Sequence, residues 1–131
     1  MNVTAVTFML TWLLLHYKLP SKPSALRVYI WRKLRRLGAI LLHDAVWVLP
    51  DCARTAEQIQ WLAAEIEERG GDACYWRAST VLGEQDDFLV QQFKEQVDTA
   101  YADLLKRLEK PKADLEDISK QYQQAALQDF F

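Results

Sequence analysis

Apolar positions change period along this chain, and the changes mark its elements. Thr11 to Leu19, TWLLLHYKL, is a continuous apolar run with a wet end, stopped by Pro20. It is too short for a free-standing helix and predicts a central strand. Residues 1–10 either extend that strand or form a loose arm. PSKPS is a loop, because Pro23 disfavours helical geometry in the residue before it. From Ala25 to Leu37 the period becomes helical. Leu26, Ile30, Leu34 and Leu37 form a core stripe, with Ser24 as the expected N-cap and Gly38 as the C′ residue. Ala39 to Pro50 holds two apolar runs parted by His43-Asp44. It is read either as a hairpin (strands 39–42 and 45–49) or as one long bent strand. Thr55 and Gln58 have capping-box spacing before a helix with Ile59, Leu62, Ala63 and Ile66 on one face, ended by Gly70-Gly71. Asp72 to Leu82 is then expected as a strand, with Cys74 and Trp76 on one face and Tyr75 and Arg77 on the other.

The resulting order, β-α-β-β-α-β, is the split βαβ plan of an α+β, ferredoxin-like sheet. The remainder is helical. Leu89, Phe93, Val97, Ala100, Leu104 and Leu108 recur by three and four, Pro111 interrupts, and Leu115, Ile118, Tyr122 and Ala125 resume. That predicts an αα-hairpin. It either covers the open sheet face or projects toward a partner. The expected division is a module over 1–83 and a hairpin over 84–131 within one compact domain. The closing Phe130-Phe131 either dock or mark a natural chain that continues.

Charge sharpens this picture. Residues 1–54 carry eight Lys or Arg against two acids, a net of +6, and residues 55–131 carry eight against sixteen, a net of −8. Such asymmetry points to a polyanion partner or to charge complementarity between subunits. The first helix concentrates the positive charge. Opposite its core stripe lie Val28, Trp31, Arg32, Arg35 and Arg36, with Arg27 and Lys33 nearer the flanks. Tryptophan and arginine dominate contact hot spots, and guanidinium forks suit phosphates. The face is therefore a nucleic-acid surface, a protein interface, or an ordinary solvated helix. Tyr75 and Trp76 are expected as core or interface residues.

The other chemistry is thin. His16, His43, Cys52 and Cys74 show no CxxC or HxxxH spacing, so neither a metal site nor a Cys–His pair is expected. Glu84, Asp86 and Asp87 suit a helix N-terminus without catalysis. There is no Walker A, GxGxxG or GxSxG segment, so no enzymatic activity and no cofactor are expected. Two cysteines make the cytosol the default compartment. The apolar run from Val3 to Leu15 lacks a basic lead and is too short to span a bilayer.

The stretch WLLLHYKLPSKPSALRVYIWRKLRRLGAILLHDAVWVLPD, Trp12 to Asp51, with QWLAAEIEERGGDA (Gln60 to Ala73) and the closing DFF, resembles the N-terminal domain of ChrB, a bacterial chromate-resistance regulator. The resemblance implies a transcription-regulatory module with Arg27, Arg32, Lys33, Arg35 and Arg36 facing DNA. The family's C-terminal, chromate-responsive part has no counterpart in these residues, and there is no helix-turn-helix signature. The chain is also similar to the Cas2-like ferredoxin domain of phenylacetate-repressor regulators, where that module mainly dimerises. A homodimer is thus the alternative, with Val28, Trp31, Tyr75 and Trp76 at the interface. A Cas2-like nuclease remnant is the remote one. Cas2 nucleases carry a metal-binding acid where this chain has Lys18, which argues against cleavage.

Overall fold

The computed structural model describes residues 10–43, 46–110, 112 and 114–131. The readings of residues 1–9, of Asp44 in the expected turn and of the break at Pro111 fall outside them. The elements are β1 (Trp12–Lys18), α1 (Ala25–Leu37), β2 (Ile40–Leu42), β3 (Val46–Pro50), α2 (Ala53–Glu68), β4 (Asp72–Ala78), α3 (Gly83–Leu108) and α4 (Leu115–Leu127). They fall into two compact units, Met1–Asp86 and Asp87–Phe131.

In the first unit a four-stranded antiparallel sheet has the order β2-β3-β1-β4. This is the ferredoxin-like split βαβ arrangement. β1 is central, paired with β3 through Trp12↔Pro50 to Leu15↔Trp47 and with β4 through Trp12↔Ala78 to Lys18↔Asp72. Its apolar run follows from that position, because successive side chains point to opposite faces and both rows are covered at Trp12, Leu13 and Leu15. Residues 39–50 form the hairpin rather than one bent strand, with Ile40 opposite Val48 and Leu42 opposite Val46. His43 adopts a positive φ of 51° at the turn.

Both helices of this unit bury the stripes that their periodicity predicts. Leu26, Ile30 and Leu34 are buried on α1, where Leu37 at the end of the expected stripe is half-buried, and Ile59, Leu62, Ala63 and Ile66 are buried on α2. Gly38 ends α1 at φ 89°, where its N–H donates to Arg35 O (3.1 Å) and the Ala39 N–H to Leu34 O (3.1 Å). Gly71 is required by space. A Cβ there would stand 2.7 Å from Lys18 O and 2.8 Å from Ile66 Cγ2, so β1, α2 and the start of β4 converge on it.

Three local expectations are corrected. Ser24 is not a side-chain cap. It already has helical angles (φ −64°, ψ −24°), and the Leu26 and Arg27 N–H groups donate to Pro23 O and Ser24 O instead. An N-cap hydroxyl needs extended backbone to reach the first turn. Thr55 does not open a capping box with Gln58. It is the third residue of α2, and Cys52 is the N-cap (φ −145°, ψ 170°). The buried Thr55 hydroxyl accepts from the Cys52 N–H (3.0 Å) and donates to Pro50 O (2.5 Å), fastening the end of β3 to the helix. β4 stops at Ala78, not Leu82. The segment after it belongs to the lead-in of α3, where the Leu82 N–H donates to Gln85 Oε1 (3.3 Å).

Asp86 departs most from the reading as a plain helix-terminal acid. It is 7% exposed and accepts from Trp12 Nε1 (2.8 Å), Thr80 Oγ1 (2.6 Å) and the Leu10 N–H (3.2 Å). Burial pushes its carboxyl pKa up, but hydrogen bonds from Thr80, Trp12 and Leu10 outweigh this and hold it below the usual value.

In the second unit, Val97 and Leu104 of α3 pack with Ile118 and Ala125 of α4 as an αα-hairpin. Asp114 caps α4 by accepting from the Asp117 N–H (3.1 Å). Arg107 bridges the helices by donating to Asp117 (2.6 Å) and Gln121. The closing aromatics dock on Phe93, at ring-centroid distances of 5.8 Å for Phe130 and 6.0 Å for Phe131. Leu108, Leu115 and Tyr122 were expected in the hairpin core and are exposed instead.

Candidate functional site

The basic face of α1 is built as its wheel predicts. Arg27, Val28, Trp31, Arg32, Arg35 and Arg36 are all exposed, and Val28 and Trp31 show 49% and 48% of their surface. The burial of Leu26, Ile30 and Leu34 forces this, because the helix period turns the intervening residues outward. The Arg35 guanidinium lies 5.7 Å from the Trp31 ring centroid, a cation–π distance that lays the fork along the indole. Arg35 and Arg36 also occupy the last turn, where the helix dipole favours positive charge.

Lys33 stands apart from this group. Its ammonium lies 2.8 Å from Glu65 Oε2 on α2, and Glu65 also accepts from the Tyr29 hydroxyl. The Tyr29 ring has Lys33 at 5.1 Å on one side and Arg69 at 4.7 Å on another. Hydrogen bonds to Glu65 and Tyr29 raise the Lys33 pKa. Burial pushes Glu65 up, yet Lys33 and Tyr29 bring it below its ordinary value. The cluster locks α1 against α2 and commits Lys33 to an internal partner. A groove of about 240 Å³ follows this seam, bordered by Lys33, Arg36, Gln58 and Trp61. Trp61 is 70% exposed. It went unremarked in the sequence, although its place opposite Ile59, Leu62 and Ile66 on the wheel was a usable signal.

Tyr75 and Trp76 are exposed rather than core residues. They lie opposite Leu15 and Leu14 on the edge strand β4, and so point to opposite faces. The Trp76 indole donates to His16 Nε2 (2.8 Å), and Arg77 binds Asp51 (2.5 Å). The four candidate ligand side chains are not gathered. His16 sits opposite Cys74 across the β1–β4 pair, His43 is in the β2–β3 turn and Cys52 opens α2. Among the described residues, no group of three or more His, Cys, Asp or Glu is placed to hold a metal ion. No helix among them is long and apolar enough to cross a membrane. At Cys52 burial acts to raise the thiol pKa, but hydrogen bonds from Thr55 and Arg54 and the Arg54 charge leave it lowered.

No solved structure matches the chain significantly. Protein ChrB of Cupriavidus metallidurans is 30% identical over 108 residues, covering 81% of this chain and 32% of that protein. The chain thus spans about a third of the length of the curated relative it matches. The family described as "Protein ChrB, N-terminal" matches residues 27–128, which run from the first arginine of α1 through the whole of α4. The chain therefore belongs to the ChrB N-terminal family.

Proposed function

We propose that this domain is a non-enzymatic regulatory module of the chromate-resistance type that grips DNA phosphates through the outward face of α1. The observation that carries this reading is the exposed set Arg27, Arg32, Arg35 and Arg36 on one helix whose other side is locked to α2 by Glu65. Exposed guanidinium forks are suited to bidentate phosphate contact. Phosphate contacts fix register and orientation without reading sequence. Lys33 drops out of the phosphate-binding set, because Glu65 already satisfies its charge.

Four phosphates neutralised by four arginines give a salt slope, d log K/d log[salt], of about −3.6 for duplex DNA. The test is the binding of a mixed-sequence duplex across a salt series, with the Arg32→Glu/Arg35→Glu double variant as control. Loss of binding with an unchanged circular dichroism spectrum supports the proposal. Duplex binding by the double variant at low salt refutes it.

The exposure of Val28 and Trp31 within the same face favours a second reading, a homodimer formed through α1. Exposed Tyr75 and Trp76 on the edge strand extend that candidate surface. Sedimentation across a concentration series tests it. A monomer throughout, or assembly unchanged by Trp31→Ala, removes it.

A further inference from the structure

The α3–α4 hairpin carries a feature that the proposed role of α1 does not explain, an open pocket of about 630 Å³ wholly within the second unit. That volume lies in the range of small-molecule sites, about 300–1,000 Å³. Toward the helix connection the lining is mainly aliphatic, Leu104, Leu105, Leu108, Leu115 and Ile118, with the Ser119 hydroxyl beside them. Leu105, Leu108 and Leu115 stay exposed around it, although the same helices bury Val97, Leu104, Ile118 and Ala125. The other end is different. Tyr101 and Tyr122 stand with ring centroids 5.5 Å apart and planes at 40°, and Asp129 closes the row. The Tyr101 hydroxyl donates to Asp129 Oδ2 (3.2 Å). This takes one of about four acceptor positions on the carboxylate. From Tyr101 to Leu108 the helix advances about 10 Å, so the two ends are one small molecule's length apart.

We propose that this pocket binds an apolar organic monocation, whose hydrocarbon or aromatic body lies along the leucines and whose ammonium group sits at Tyr101, Tyr122 and Asp129. Charge complementarity selects this occupant. Two tyrosine rings beside a carboxylate attract a cation and repel an anion, and a cation–π contact adds to the charge pairing. No basic side chain lines the pocket, so an acidic or phosphorylated ligand finds no counter-charge there. The aliphatic end supplies affinity by apolar burial and the tyrosine–carboxylate end supplies selectivity.

The test uses the full chain and three dyes: rhodamine 6G as the apolar cation, Nile red as the neutral probe and anilinonaphthalene sulfonate as the anion. Saturable binding of rhodamine 6G, read by fluorescence polarisation, is expected, with the sulfonate a poor competitor. Asp129→Asn weakens the cation by about three- to fivefold, from loss of an exposed charge pairing, and leaves Nile red unchanged. Tyr122→Leu keeps the apolar wall and weakens only the cation. Leu105→Ser weakens both cationic and neutral dyes. Equal affinity for cation and anion overturns the proposal, as does rhodamine affinity unchanged by Asp129→Asn. So does sedimentation showing a dimer that excludes all three dyes until Leu105→Asp separates it, because a second copy is then the occupant. DNA binding is measured in parallel; its loss or survival bears on α1 and leaves the dye result intact.

Discussion

Replacing Asp86 by alanine should destabilise the first unit by about 3 kcal/mol. The Trp12 indole N–H is buried and loses its acceptor at 2.8 Å, and stranding a buried donor costs about 1–3 kcal/mol. The Leu10 N–H, only partly buried, adds about 0.5–1 kcal/mol. Thr80 loses less, because its hydroxyl also lies 3.2 Å from Leu82 O and can turn to it. Asp86→Asn keeps an oxygen for Trp12 but gives up the charge, so about half the cost is expected. All five tryptophans lie in the first unit, so indole emission during urea unfolding reports on it alone. With a slope of about 2 kcal/mol/M, the alanine variant's midpoint should fall by about 1.5 M. The pH dependence carries the same signature. The folded pKa of Asp86 lies below its unfolded value of 3.8, so its contribution is complete well above pH 3.8 and disappears as pH falls through the lower folded value. The alanine variant should lose less stability than the parent across that acid range. A midpoint within about 0.3 M of the parent refutes the reasoning. So does a Trp12→Phe/Asp86→Ala cycle with coupling below about 0.5 kcal/mol, the usual additivity error.

Gly71→Ala should cost about 1–3 kcal/mol, because its methyl group collides with Lys18 O and Ile66 Cγ2, whereas Gly83→Ala, with nothing within 4 Å, should stabilise by about 0.5 kcal/mol; thermal melts compare the two. Glu65→Gln weakens the α1–α2 lock at a partly exposed site, and urea titration should show a loss of about 1 kcal/mol or less. Lys33→Ala should leave the salt slope of duplex binding unchanged, while Arg32→Ala should lower it by about 0.9.

The element order was legible because the hydrophobic period changes sharply, from a continuous run at Trp12–Leu15 to three-and-four spacing at Leu26, Ile30 and Leu34. The arginine face was legible for the same reason, since a buried stripe dictates what lies opposite. What escaped was polar and long-range. The Trp12–Asp86 bond joins residues 74 positions apart, and nothing local distinguishes Asp86 from Asp87 beside it. Lys33 could not be separated from its arginine neighbours without Glu65, which lies one helix away. The α2 start was misread by one turn because Thr55 can serve either as N-cap or as third residue. The extended Cys52, whose N–H donates to the Thr55 hydroxyl, decides between them.

The central position of β1 has a consequence for synthesis. Among the described strands the earliest in the chain is the one that needs two neighbours, and they arrive only with residues 46–50 and 72–78. Until residues 46–50 are made the run Trp12–Leu15 has no native partner, and until 72–78 follow one of its edges stays open; such unpaired apolar strands aggregate readily. Closing the β1–β4 pair also spans about 60 residues, a non-local step that slows folding. Early release of the nascent chain, or truncation before β4, should therefore yield insoluble product rather than a smaller folded domain.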